Sequence, residues 1–174
     1  MKKCYLLLFL LTVLSAACNQ KKSNIILDYP ENAPERDVVE YYSDSVPKVV
    51  FYYKTDENGK QTNEKIGEAY FYEDKKPYVG GGLKNNQRNG VWHAFHPNGK
   101  IQTEAFYIDG KEDGDYKVYY DNGHLLYHGK YKNGICTGEW KFYDADGKVK
   151  QKIKVTDITI MCQTCEKCIG LVSK

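Results

Sequence analysis

Residues 90–101 read GVWHAFHPNGKI, and the same pattern returns as GDYKVYYDNGHL at residues 114–125 and as GEWKFYDADGKV at residues 138–149. Each copy begins with Gly, has aromatic residues two and five places later, and then has a turn containing Gly; the copies lie 24 residues apart. A degenerate copy begins at Gly67, and a further hairpin pattern surrounds Asn58-Gly59. Self-similarity at such a period indicates a repeat architecture.

Each copy is predicted to form a β-hairpin. Asn-Gly and Asp-Gly between alternating runs are the residues of type I′ turns. In the last unit, alternation predicts one face for Val149, Gln151, Ile153 and Val155 and the other for Lys150, Lys152 and Lys154. A lone hairpin is marginal in water, so the units are expected to stack side by side. The fold class is therefore predicted to be all-β: an elongated, twisted antiparallel sheet of tandem hairpins over residues 46–156.

The repeat pattern resembles the MORN repeat, and in particular a variant found in bacterial proteins that are often labelled as toxin–antitoxin system antitoxins. The resemblance covers about Gly67 to Val155. It implies a binding or scaffold module, and we expect no catalytic activity. An antitoxin meets its toxin in the cytoplasm, so that label fits an exported chain poorly. An envelope immunity-like role is kept as an alternative.

Composition narrows the class of protein. The 174 residues allow one compact domain or one short repeat array. Sixteen Tyr and 15 Gly suit short strands joined by tight turns. The net charge of +2 is too small to indicate a nucleic-acid partner.

The first residues read as an export signal. Met1-Lys2-Lys3 is followed by an apolar run from Tyr5 to Leu14, which is too short to span a bilayer as a mature helix. Ser15-Ala16-Ala17 before Cys18 resembles the lipobox of bacterial lipoproteins, although Ser15 stands where Leu is usual. The resemblance implies that residues 1–17 are a signal peptide and that Cys18 carries lipid, palmitate included, that anchors the protein in a membrane. Loss of Lys2 and Lys3 would leave a neutral mature chain.

Residues 18–45 are polar and contain Pro30 and Pro34, so they are predicted to form a tether that becomes ordered near Val38. Some surface-export signals have acidic residues directly after the lipidated Cys. Here Cys18 is followed by Asn19-Gln20-Lys21-Lys22 instead. We therefore expect an outer-membrane lipoprotein that faces the periplasm.

One aromatic row is a candidate binding surface. Phe95, Tyr119 and Tyr143 recur at one repeat position, and alternation puts them on the face opposite Trp92, Tyr116 and Trp140. Exposed aromatic patches mark binding sites, so this row could contact a protein or another envelope partner, a glycan or a lipid surface. The alternative is that both rows are structural.

A cysteine-rich tail, residues 157–174, follows the repeats. Its Cys162, Cys165 and Cys168, together with Cys136, could form disulfides, bind a metal such as zinc with four thiolates, or act in thiol redox chemistry. A metal-binding or redox tail on a repeat stalk is therefore an alternative function. No cofactor is otherwise expected. The four histidines are His93, His96, His124 and His128. His124 and His128 lie four apart on a strand, too far to share a metal, and are predicted to be surface residues. No constellation for acid–base or nucleophilic catalysis is present.

Overall fold

The computed structural model describes residues 35–43 and 45–155. Within these ranges the chain forms one antiparallel sheet of ten strands, each hydrogen-bonded to the next in sequence order. The strands are β1 (Glu35–Ser43), β2 (Val46–Thr55), β3 (Gln61–Phe71), β4 (Pro77–Lys84), β5 (Gln87–Phe95), β6 (Ile101–Ile108), β7 (Lys111–Tyr119), β8 (Leu125–Lys132), β9 (Ile135–Tyr143) and β10 (Val149–Lys154). At the usual strand spacing, ten strands extend over roughly 45 Å. The prediction of tandem hairpins in an all-β fold is confirmed.

The first strand lies inside the predicted tether, since β1 begins at Glu35. In the described part of the chain, no helix has the length and apolar character needed to cross a bilayer. The predicted signal peptide and the cysteine-rich tail lie outside the described residues.

From β3 to β10, two kinds of turn alternate along the sheet. Two-residue loops join β6 to β7 and β8 to β9, and both residues of Asp109-Gly110 and of Asn133-Gly134 have positive φ. These are type I′ turns, as predicted. Asn85-Asn86 forms the same kind of loop between β4 and β5.

The prediction of type I′ turns at the other Asn-Gly and Asp-Gly pairs is wrong. Positive φ there is confined to the Gly of each pair, namely Gly59, Gly99, Gly123 and Gly147. At residues 96–100, the Gly99 amide donates to the His96 carbonyl at 2.8 Å, and the Asn98 carboxamide accepts from the Lys100 amide at 3.0 Å. This side-chain bond offers the Asn a local alternative to the left-handed conformation, so the sequence pair alone does not determine the turn type.

The glycine that opens each repeat lies at a β-bulge. Gly90, Gly114 and Gly138 have positive φ, and the register of the neighbouring strand pair shifts beside each of them. Only Gly adopts this conformation without steric cost, which explains why the residue recurs at this repeat position.

A second set of register shifts changes one predicted face. Val149 pairs with Tyr143, but Gln151 pairs with Phe142, so Lys150 is the extra residue of a bulge. Val149 therefore lies on the face of Tyr143, whereas Gln151 and Ile153 lie on the face of Trp140. The prediction that Val149 shares a face with Gln151 is wrong, because simple alternation does not account for a bulge.

The core is built by alternation of large and small residues between strands. Trp92 pairs with Gly81 on one side and Ala105 on the other, and Tyr116 pairs with Ala105 and Gly129. A methyl group on Gly81 would lie 2.5 Å from the Trp92 ring. The rings therefore lie flat over small neighbours and are buried on a sheet of one layer. We call this side of the sheet the tryptophan face.

Candidate functional site

The opposite side of the sheet carries a row of ionisable residues, and we call it the ladder face. Cross-strand pairing joins six residues of β5 to β10 in one line: His93, Glu104, Lys117, His128, Lys141 and Lys152. Because directly paired residues point to the same side, these side chains form a continuous polar row across six strands.

The predicted aromatic row runs beside this polar row. Phe95, Tyr119 and Tyr143 each pair with an aliphatic residue of the next strand, and the three partners are Ile101, Leu125 and Val149. We call these six residues the aromatic strip. Phe95 is 5% exposed and Val149 is 48% exposed, whereas the two tyrosines are half-buried. Access to the strip therefore increases toward the last repeat.

Ion pairs organise the first part of the polar row. The Lys117 ammonium donates to Glu104 Oε1 at 2.6 Å, and His93 Nε2 lies 3.7 Å from Glu104 Oε2. The hydrogen bond to Glu104 raises the pKa of Lys117 and keeps the ammonium charged.

Asp115 contacts two side chains of the neighbouring strand. Its Oδ1 lies 3.4 Å from His128 Nε2 and 3.7 Å from Lys130 Nζ. Burial acts to raise the pKa of Asp115, but the hydrogen bond from His128 and the charge of Lys130 outweigh it, and the pKa lies below its ordinary value. The charges of β7 are therefore largely matched within the sheet.

Hydrogen bonds between repeats hold the backbone of the strip. The Tyr72 hydroxyl donates to the Phe95 carbonyl at 2.7 Å, and the Tyr120 hydroxyl donates to the Tyr143 carbonyl at 3.0 Å. His96 Nε2 makes the equivalent contact with the Tyr119 carbonyl at 2.9 Å. Each repeat thus positions the strip residue of the next repeat. Sequence reasoning missed this set, although residues 72, 96 and 120 show the same period of 24.

The histidines serve different roles. His93 is buried. His96 is half-buried and bonds the Tyr119 carbonyl, while His124 Nδ1 contacts the Ala145 carbonyl at 2.7 Å. Among the residues that the structure describes, no group of His, Cys, Asp or Glu is arranged to hold a metal ion.

Cys136 is buried on β9, packed in a cluster with Trp140 and Phe142. Cys18, Cys162, Cys165 and Cys168 lie outside the described residues. The lipid site and the disulfide, zinc and redox alternatives for the tail therefore stay predictions.

The fold and its 24-residue units define a tandem-hairpin repeat protein. Three of its segments match the MORN repeat variant, at residues 88–109, 112–133 and 137–156. The resemblance noted from the sequence is confirmed for these repeats, which indicate a binding or scaffold module.

Curated proteins and solved structures provide two further comparisons. No curated protein matches the chain. Among solved structures, the chain is similar to one from the "Glycosylation Associate Protein (Gap123) complex from Streptococcus agalactiae", with 17% sequence identity and a TM-score of 0.41. The match covers 86% of this chain but 26% of that chain, and a likeness of this extent says nothing about function.

Proposed function

We propose that the protein is a lipid-anchored envelope protein whose repeat sheet is a non-catalytic binding or scaffold module. In this proposal Cys18 holds the chain on the outer membrane, facing the periplasm, and the ladder face carries the binding surface. The MORN repeat variant in three segments supports the scaffold part. The lipobox-like context of Cys18 supports the anchor.

The choice of the ladder face as the binding surface rests on one observation. The tryptophan face buries its largest rings, and Trp92 and Trp140 are 2% and 3% exposed. The aromatic strip becomes more exposed toward Tyr143 and Val149, and polar side chains lie beside it. Apolar rings next to polar side chains suit recognition of another molecule, because aromatic contact supplies binding free energy and the polar groups fix the position of the ligand.

The anchor is tested by cell fractionation. Cys18→Ser should release the full chain from the membrane fraction, because it removes the site of acylation. Cys4→Ser is the matched control, since this Cys lies within the predicted signal peptide, and it should leave the chain on the membrane. A Cys18→Ser chain that still fractionates with membranes contradicts the anchor.

The binding surface is tested by cross-linking in cells. A photoreactive residue in place of Tyr143 should cross-link to a partner protein, whereas one in place of Lys75, which lies in the turn between β3 and β4, should not. Equal cross-linking from both positions, or cross-linking from the turn alone, contradicts the assignment of the ladder face.

A further inference from the structure

The charge of the ladder face is not uniform along the array. On β8, β9 and β10 this face carries five lysines and one carboxylate, Glu139; the lysines are Lys130, Lys132, Lys141, Lys152 and Lys154. Lys130 and Lys132 pair with Asp115 and Asp113 of β7, at 3.7 Å and 3.0 Å. Glu139 pairs with Lys141 at 3.5 Å. Lys152 and Lys154 are exposed and form no ion pair with any other residue in the described ranges. The last repeat therefore presents unmatched positive charge beside the open end of the aromatic strip.

We propose that this part of the ladder face binds an extended acidic peptide segment of a protein partner. The inference rests on the proposed function and names the chemistry of the partner. Carboxylates of the segment would pair with Lys141, Lys152 and Lys154, while its apolar residues would contact Tyr143 and Val149. Charge complementarity selects the acidic partner, because Lys152 and Lys154 form no ion pair within the described ranges and leave a local excess of positive charge.

The geometry of the last strand constrains the shape of the segment. Lys152 and Lys154 lie two residues apart on β10 and on the same face of the sheet. Two residues advance roughly 6.8 Å along a strand, and alternate residues of an extended peptide have the same spacing. A segment that lies extended along β10, with an acidic residue at every second position, therefore matches the two lysines.

The carboxylates within the ladder oppose a continuous polyanion. Glu104, Asp115 and Glu139 lie among the cations of the same face. They would repel a phosphate backbone or a dense anionic surface, whereas spaced carboxylates can fit between them. This pattern favours a peptide over a nucleic acid or an anionic membrane.

The test measures binding of a labelled peptide of alternating Glu and Val residues to the full chain in detergent, by fluorescence anisotropy. The comparison peptide has the same composition with its Glu residues in one block. The first peptide should bind more tightly, and its affinity should fall as salt is added. Lys141→Gln with Lys152→Gln should weaken binding about three- to tenfold, as expected for the loss of two exposed ion pairs. Lys84→Gln with Lys111→Gln removes the same charge elsewhere and should leave binding unchanged.

Four results would overturn the proposal. They are equal binding of the two peptides, equal effects of the two variant pairs, binding to phosphatidylglycerol vesicles without binding to the peptide, and cross-links from Lys152 only to residues 156–174 of the same chain. If the photoreactive residue at position 143 still captures a partner while the peptide fails to bind, the acidic partner is wrong and the proposed function stands. If both fail, the ladder face is not the binding surface.

Discussion

The two faces of this one sheet are packed by different rules. On the tryptophan face, large rings of the odd-numbered strands lie over small residues of the even-numbered strands, as Trp92 does between Gly81 and Ala105. On the ladder face, ionisable residues pair directly across the strands and the rings lie to one side, beside aliphatic residues. A sheet of one layer needs one closely packed face for stability, and this leaves the other face available for binding.

The difference between the two faces also explains at which positions substitutions are tolerated. Close contact between rings and backbone leaves no room for an added methyl group, whereas most side chains of the polar row are partly exposed and their pair energies are small. Substitutions on the tryptophan face should therefore change the free energy of unfolding, and those on the ladder face should mainly change binding.

The largest effect is expected for Trp140→Ala. This ring packs against Tyr131 and Tyr116, with centroids 5.2 Å and 6.4 Å away, and its loss should lower the free energy of unfolding by about 3–5 kcal/mol. Tyr143→Ala, on the ladder face of the same strand, should cost less than half as much because its ring is half-buried. Urea denaturation of both variants checks the contrast, and equal losses would remove the distinction between the faces.

The next effect is expected for Gly129→Ala. An added methyl group would lie 2.1 Å from the Trp140 ring, so the ring must move, at a cost of about 1–3 kcal/mol. The double variant with Trp140→Leu should lose less stability than the two single variants added together, because Leu leaves space for the methyl group. Additive losses in a double-mutant cycle would show that the ring is not confined as described.

Alkaline pH should destabilise the sheet. Burial raises the pKa of Tyr107 on the tryptophan face and of Tyr119 on the ladder face. The unfolded chain loses these phenol protons near pH 10 while the folded chain retains them, so rising pH favours the unfolded state. The free energy of unfolding should be constant with respect to these groups below that pH and should fall above it. Tyr107→Phe should make the fall shallower in urea titrations at several pH values; an unchanged slope would contradict the role of Tyr107.

A smaller effect is expected for Tyr120→Phe. This change removes the hydroxyl that donates to the Tyr143 carbonyl, and the loss should be about 1 kcal/mol. Tyr119→Phe is the matched control, because no hydrogen bond of its hydroxyl is found within the described ranges. Thermal unfolding that gives the same midpoint for both variants would show that the bond between repeats does not stabilise the array.

The smallest effect is expected for Glu104→Gln. It weakens the pairing with Lys117 on a half-buried part of the ladder face, and the change should be about 0.5–1 kcal/mol and should shrink as salt is added. A loss comparable with that of Gly129→Ala would mean that the ladder stabilises the fold as strongly as the tryptophan face does.

Much of the architecture could be read from the repeat. The period of 24, the glycine positions and the alternation of aromatic residues predicted consecutive hairpins, and residues 90, 114 and 138 mark the same point in each unit. The small residues Gly81, Ala105 and Gly129 recur with that period as well, but their role was not predicted from the sequence. Their meaning depends on the cross-strand partner, which a single strand does not reveal.

The candidate site was only partly predictable. The row of Phe95, Tyr119 and Tyr143 was correctly placed opposite Trp92, but its gradient of exposure was not foreseen. The ionisable ladder was missed because its members come from six strands and are far apart in sequence. Val149 was assigned to the wrong face because a bulge shifts alternation by one residue.

The sequence by itself determined that the chain is a tandem array of hairpins, since periodic glycines and alternating side chains are local signals that each unit carries in full. The tertiary structure decided the turn types, the bulges, the rings lying over glycine and the row of charges on one face. These features depend on register between strands, and register is set by the packing of neighbouring units rather than by any one of them.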